Sequence, residues 1–260
     1  EEPKLPSYAL KFVSKAALDA YEEPAEKSRD EIGLMLIGHT APIAKAPWQY
    51  VLKDEVRRSF AGHLQSPFTP QQCKEFFRAI NEGTDWKRPR EMPRGTAWMV
   101  ARGCQCSYRY GGHEVEPQEY PPWMFKILQA TMPYFGCPNP DEWPDSCNLN
   151  LYDTGGSSVA WHADDEALFD GKARDIKILS LSLGVPRTFE LRPNIQDGAR
   201  ASHRMHLNDG DLCTMEGMAQ KHYQHRVPPE NEIEGRRINL TWRWIVKHSP
   251  RCPASRTRQS

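Results

Sequence analysis

The chain has 260 residues, enough to bury one substantial core, and a β-rich enzyme domain of about 200 to 250 residues commonly stays a single unit. Its 34 basic residues balance 34 acidic ones, so overall charge does not mark it as a nucleic-acid binder. No uninterrupted apolar run approaches the roughly 20 residues needed to span a bilayer, and nothing near the start reads as a basic flank followed by an apolar signal, which excludes a membrane-spanning protein. The sequence opens on Glu1 rather than Met, which suggests that a segment precedes it. Seven cysteines (Cys73, Cys104, Cys106, Cys137, Cys147, Cys213 and Cys252) form an odd set with no CxxC pair. That pattern argues against both a disulfide framework and a structural zinc site. The expectation is a soluble monomer of a reducing intracellular compartment, nucleus or cytoplasm.

Residues 1–66 mix charge, proline and short apolar runs without sustained periodicity, and read as an N-terminal extension without an assignable role. At Thr69 the pattern sharpens. Thr69-Pro-Gln-Gln supplies a capping residue, a proline at the first helical position and a Gln three residues after the cap. The helix that follows places Cys73, Phe76, Phe77 and Ile80 on one face and ends near Gly83. A second helix is predicted to start at Pro122, with Trp123, Ile127 and Leu128 turned inward. From Asn148 onward short strands alternate with turns: 178–184, 188–191, 203–207, 212–215 and 237–246, with Asn208-Asp209-Gly210 as a hairpin turn between two of them. The expected fold is mostly β with supporting helices around a double-stranded β-helix (jelly-roll) core, one catalytic domain over 67–247. Residues 248–260 read as a basic, disordered tail. From Arg236 to the end there are seven Lys or Arg residues and no Asp or Glu, a possible phosphate-attracting edge.

Residues two apart on a strand share a face, so a polar i, i+2 pair within an apolar strand marks an inward polar site. Asn150 and Tyr152 form one such pair and His162 and Asp164 another. Arg237, Asn239, Thr241 and Arg243 make a continuous polar face alternating with Ile238, Leu240, Trp242 and Trp244. Two arginines on an enclosed face are costly unless an anion neutralises them, and a dicarboxylate would do so. His162-x-Asp164 followed by His225 supplies two imidazoles and a carboxylate, a set that binds one face of an octahedral iron and leaves positions for a bidentate 2-oxo acid and oxygen. His222 is a competing ligand candidate read as a residue that supports the ligands or packs beside them, and His203 and His206 read as strand-surface residues.

The blocks Asn150-Leu-Tyr152, Trp161-His-Ala-Asp-Asp-Glu166, Ser180-Leu-Ser-Leu-Gly184, Arg187-Thr-Phe-Glu190, Met215-Glu-Gly217, Gln224-His-Arg-Val-Pro228 and Arg237-Ile-Asn-Leu-Thr-Trp-Arg243 resemble those of the AlkB family, in that family's order. The similarity covers roughly 92–246 and is most like the animal homologue acting on single-stranded DNA and RNA. It implies that His162, Asp164 and His225 hold Fe(II), and that Asn150, Tyr152, Arg237, Asn239 and Arg243 hold 2-oxoglutarate, with Arg237 on its distal carboxylate. It also implies the reaction: oxygen and 2-oxoglutarate are converted to succinate and carbon dioxide while an alkyl carbon on a base nitrogen is hydroxylated. The hydroxylated group then leaves as an aldehyde. The implied partner is alkylated single-stranded DNA or RNA, of the 1-methyladenine or 3-methylcytosine type.

A base must reach such a site unstacked. Tyr108 and Tyr110 are candidates for stacking on it, and Asp165 and Glu166, directly after the metal carboxylate, are candidates for reading its edge. The bland alternatives are a strand-edge aromatic pair and solvent-facing turn residues. The sequence departs from the related animal enzyme at Asn148, where that enzyme has leucine, and in the length of the segment after Trp98. A protein or small-molecule hydroxylase on the same iron scaffold is the runner-up. A non-catalytic relative would have no reason to keep three ligands and two arginines, and a zinc hydrolase would not need the Arg237 to Arg243 face.

Overall fold

The computed structural model describes residues 25–41, 46–90, 92–110, 112–194 and 202–256. Eight strands form one sheet in the order β1 (Gln49–Asp54), β2 (Ser59–Leu64), β12 (Leu212–Gly217), β9 (Ile176–Gly184), β14 (Arg237–Arg243), β7 (Ser146–Tyr152), β3 (Gly95–Val100) and β6 (Pro117–Glu119). Four more form a second sheet in the order β11 (His203–Leu207), β10 (Arg187–Pro193), β13 (Tyr223–Val227) and β8 (Val159–His162). A small hairpin pairs β4 (Tyr108–Tyr110) with β5 (His113–Val115). This is the jelly-roll expected from the alternation pattern, with a cavity lined by both sheets.

Strand β14 lies between β9 and β7, and all seven of its residues are buried. Register then builds one polar face from three strands. Arg237, Asn239 and Thr241 stand opposite Tyr152, Asn150 and Asn148 on β7, and Asn239 and Thr241 stand opposite Ser182 and Ser180 on β9. The other face, with Ile238, Leu240 and Trp242, joins Leu149, Leu151, Leu181 and Leu183 in the largest core cluster. Two helices cover that face. α1 (Pro70–Gly83) carries the predicted capping box, with Thr69 Oγ1 accepting from Gln72 N–H and Gln72 Oε1 accepting from Thr69 N–H. It buries Cys73 and Ile80, with Phe76 and Phe77 packed beside them. α2 (Pro122–Thr131) buries Met124, Ile127, Leu128 and Thr131, while Trp123 is only half-buried and its Nε1–H points to the Gly83 carbonyl.

Three expectations change. Residues 49–64, expected to belong to an N-terminal extension, join the large sheet: β1 pairs with β2, and β2 pairs with β12 from Ser59 to Leu64, while residues 1–24 lie outside the described residues. Gly217 makes that junction possible, because its φ is +72° and a Cβ there would meet the Arg58 carbonyl oxygen at 2.1 Å. The Asn208-Asp209-Gly210 turn does not close a hairpin, since β11 pairs with β10 and β12 pairs with β9 and β2 in the other sheet. It is a corner between sheets, held by the Asp211 carboxylate accepting from the backbone N–H groups of Ser66 and Asn208. The stretch from 248 to 252 is not a loose tail either: Cys252 is 2% exposed. The last residues, 257–260, lie outside the described residues.

Candidate active site

The second sheet delivers two of the three expected metal ligands by register. His162 ends β8 and stands directly opposite His225 on β13, with ring centroids 4.1 Å apart. Asp164 follows β8 at 2% exposure, and its Oδ1 lies 3.6 Å from His162 Nε2 and 3.8 Å from His225 Nε2. One ligand atom from each residue falls within 4.8 Å of the others. His162 Nδ1 is 2.9 Å from the Ala160 carbonyl oxygen, so Nδ1 carries the proton and Nε2 is left with its lone pair toward the cluster. The Asp164 backbone N–H donates to Gln220 Oε1 at 2.8 Å, and Gln220 is 1% exposed. Gln220 is a positioning residue that the sequence did not single out.

Burial works against ionisation of Asp164 but is outweighed by the Arg243 guanidinium and the two imidazoles, which hold the carboxyl well below the usual carboxylate range. Burial lowers His225 to about 3, helped by the neighbouring His162, and burial also lowers His162. Two neutral imidazoles and one carboxylate are the protonation states that a divalent ion requires. The donor set therefore fits Fe(II), which favours two His and one carboxylate on one face.

The polar face of β14 fits a dicarboxylate. Arg237 is 1% exposed; its Nη2–H groups donate to Ser182 Oγ and Asn239 Oδ1, while Nε and Nη1 are buried with no hydrogen-bond partner among the described residues. A fully buried guanidinium with two unused donors is costly unless an anion receives them. The Tyr152 ring lies 5.0 Å from its carbon centre, and burial pushes the guanidinium down. Arg243 is placed differently from Arg237: its Nη2 is ion-paired to Asp164 Oδ2, and its Nε and Nη1 are likewise buried and unpartnered. It thus links Asp164 to the polar face of β14 within one cavity. Asn239 Nδ2 donates to Thr241 Oγ1, and Asn150 Oδ1 is taken by Arg94 Nε at 2.8 Å. Arg94, 7% exposed and lining the cavity, was not among the sequence candidates; its only signal was its place just before β3. Asn148, the departure noted above, lines the cavity and accepts from Thr96 Oγ1.

The substrate-side candidates separate. Tyr108 is 2% exposed, stacks on Trp98 at 4.9 Å and 21°, and donates its hydroxyl to Glu166 Oε1. One face of its ring is occupied, so it is a wall rather than an open platform. Glu166 keeps a buried Oε2 without a partner, and burial together with Asp164 pushes its carboxyl up to about 7. Asp165 is exposed and ion-paired to Lys172, away from the buried cluster. Of Tyr110 only the backbone is described, paired to His113. His222 lies outside the His162–Asp164–His225 cluster, its Nε2 3.0 Å from Glu26 Oε1. His206 is exposed on the outer face of β11, as expected, whereas His203 shares the face of the buried Met205 and Leu207 and is half-buried, its ring 6.3 Å from that of Tyr223.

A family profile described as the 2OG-Fe(II) oxygenase superfamily matches residues 60–243, which hold all three ligands and both arginines. The chain belongs to the 2OG-Fe(II) oxygenase superfamily. Fe(II), 2-oxoglutarate and O2 are the metal and co-substrates of this oxygenase. Among characterised proteins it is similar to human alpha-ketoglutarate-dependent dioxygenase alkB homolog 3, 32% identical over 161 residues covering 60% of this chain and 52% of the human protein. It is also similar to the Arabidopsis thaliana DNA oxidative demethylase ALKBH2, 28% identical over 207 residues covering 68% of this chain and 63% of that one. The chain thus spans about half the length of the homolog 3 proteins it matches. The solved structure of OsALKBH1 superposes with a TM-score of 0.53 at 18% identity over 76% of this chain and all of that one, a likeness of fold. No helix among the described residues is long and apolar enough to cross a membrane.

A second group of metal-ligating side chains gathers elsewhere: Cys104, Cys106, His248 and Cys252 place one ligand atom each within 4.8 Å of one another. The cysteine spacing had argued against such a group. Among the described residues the seven cysteines form no disulfide.

Proposed function

We propose that this oxygenase removes alkyl groups from nucleic-acid bases by oxidation, acting on 1-methyladenine- or 3-methylcytosine-type lesions and preferring single strands. The observation that carries the oxidative part is the meeting, in one cavity, of the His162–Asp164–His225 cluster with the partnerless donors of buried Arg237. Bound iron with 2-oxoglutarate and oxygen supplies the oxidising power that turns an alkyl C–H into C–OH, with succinate and carbon dioxide as co-products. His162, Asp164 and His225 would hold the metal. Arg237 would take the distal carboxylate through Nε and Nη1, oriented by Ser182 and Asn239. Arg243 would keep Asp164 ionised and aimed at the metal while offering its remaining donors to the co-substrate. Gln220 would fix the Asp164 backbone.

The nucleic-acid part rests on the likeness to the human and Arabidopsis AlkB proteins and on the Tyr108–Glu166 pair beside the metal carboxylate. Glu166 Oε2 is an acceptor suited to an exocyclic amine, and Tyr108 would hold that carboxylate in place. A flipped base costs a few kcal/mol to extract from a duplex, and the balanced charge of this chain supplies little compensating phosphate attraction. The test is an anaerobic mixture of protein, Fe(II), 2-oxoglutarate and oligonucleotides carrying single methylated bases, started with oxygen and read as formaldehyde released. Matched single and double strands are compared at one fixed salt concentration. Faster release from the single strand is expected. Equal or faster release from the duplex removes the strand preference, and succinate formation without formaldehyde from any oligonucleotide moves the substrate to a protein or small molecule.

A further inference from the structure

We propose that Cys104, Cys106, His248 and Cys252 form a structural zinc site that ties the chain's C-terminal segment to the loop leading into the β4–β5 hairpin. His248 Nδ1 lies 3.6 Å from Cys104 Sγ, 3.7 Å from Cys106 Sγ and 3.5 Å from Cys252 Sγ, and the Cys104 and Cys252 sulfurs are 3.7 Å apart. For a tetrahedral zinc with sulfur at about 2.3 Å and nitrogen at about 2.0–2.1 Å, the edges are about 3.6 Å for sulfur to nitrogen and about 3.8 Å for sulfur to sulfur. The three sulfur-to-nitrogen edges and the Cys104–Cys252 edge match those lengths, and all four ligand atoms lie within 4.8 Å of one another. A disulfide would need sulfurs about 2.05 Å apart, so the 3.7 Å separation is not that of a bonded pair.

The surroundings suit thiolates. Each sulfur faces a backbone N–H: Gln105 N–H toward Cys252 Sγ at 3.3 Å, Cys106 N–H toward Cys104 Sγ at 3.5 Å, and Ser249 N–H toward Cys106 Sγ at 3.3 Å. A thiol sulfur is a poor acceptor, whereas a metal-bound thiolate makes good use of three such donors. Cys104, Cys106 and Cys252 are 4%, 3% and 2% exposed and His248 is half-buried, so the sulfurs are shielded from solvent and four protein ligands leave no open coordination position. Three sulfurs and one imidazole in a closed tetrahedron favour zinc over harder divalent ions.

The position gives the ion a purpose. Cys106 is two residues before Tyr108, and its carbonyl accepts from Trp98 Nε1 at 2.8 Å. The same Trp98 ring stacks on Tyr108. Zinc would therefore fix the cavity wall formed by Tyr108 from the far side of Trp98, using residues 248–252 as the clasp. The experiment uses the full chain carrying His162→Ala and Asp164→Ala, which empties the iron cluster, purified under reducing conditions. One zinc per chain by elemental analysis is expected. Cobalt substitution should give the sulfur-to-cobalt charge-transfer absorption of a thiolate site, and adding Cys252→Ser should abolish it. As a check that does not depend on that variant folding, zinc should protect Cys104, Cys106 and Cys252 from alkylation, mapped peptide by peptide, while leaving Cys137 reactive. The proposal is overturned if the reduced chain takes up no zinc on reconstitution, if bound cobalt lacks the thiolate band, if that band persists in Cys252→Ser, or if Cys104 and Cys252 are recovered as a disulfide.

Discussion

Replacing Arg237 with Met removes the guanidinium while roughly keeping its volume, and the two states of the protein should respond in opposite ways. Without co-substrate, the wild-type chain buries a cation whose Nε and Nη1 have no hydrogen-bond partner among the described residues. An apolar residue of similar size there should leave the apoprotein as stable or more so. With 2-oxoglutarate, the variant leaves a carboxylate desolvated and unpaired, a loss of about 3 kcal/mol within the usual range for truncating one partner of a buried charge pair. That is roughly a 150-fold weaker Kd. At a 2-oxoglutarate concentration of about 100 times the wild-type Kd, ligand binding stabilises the wild type by about 2.7 kcal/mol. The variant, then at about 0.7 times its own Kd, gains only about 0.3 kcal/mol. For a chain of this size those gains correspond to Tm increases of roughly 5–11 °C and 1 °C. The assay is a thermal melt with Mn2+ in place of iron, with and without 2-oxoglutarate, on both proteins. A variant that keeps the full ligand-induced shift refutes the assignment of Arg237 as the anion partner and moves that role to Arg243 or Arg94.

Three further outcomes are expected. His162→Ala, Asp164→Ala and His225→Ala should each abolish iron-dependent succinate formation while the chain still folds, because a facial set has only three protein ligands; near-normal succinate from any one of them would remove it from the metal. Tyr108→Phe deletes the donor to Glu166 but keeps the stack on Trp98, so it should raise KM for a methylated oligonucleotide several-fold and leave the 2-oxoglutarate requirement unchanged; the reverse split would place Tyr108 on the co-substrate side. Asp211→Ala strips a buried carboxylate that accepts from Ser66, Asn208 and His63 and should cost about 3–5 kcal/mol in chemical denaturation at neutral pH. Burial opposes ionisation of Asp211, yet the hydrogen bonds from His63 and Asn208 outweigh it and depress its folded pKa. Its contribution is therefore complete above the unfolded aspartate value of about 3.9 and fades as pH falls below it, so wild type and variant should converge in acid. A gap that stayed constant down to pH 2 would contradict this.

What could be read from the sequence alone were features whose physics is local or periodic. The capping box at Thr69 needs only residues 69 to 72, and the polar i, i+2 series from Arg237 to Arg243 needs only the twofold repeat of a strand. His162 and Asp164 are legible for the same reason, and His225 as the imidazole that follows them ahead of Arg237. The tertiary structure decided whatever depends on which chain segments meet. Asn208-Asp209-Gly210 has the composition of a hairpin turn, but pairing partners, not turn residues, determined that it joins two sheets. Strands β1 and β2 carry no strong signal of their own and are strands because β12 offers an edge to pair with. Tyr108 looked like a free aromatic until Trp98 covered it, and Arg94 became part of the cavity only when β3 and β7 aligned it with Asn150. The cysteine cluster shows the limit most clearly. Cys104 and His248 are 144 residues apart in sequence, so no spacing rule built on neighbouring ligands detects them. Only the close packing of the last segment against the loop after β3 brings three sulfurs and an imidazole within one coordination sphere.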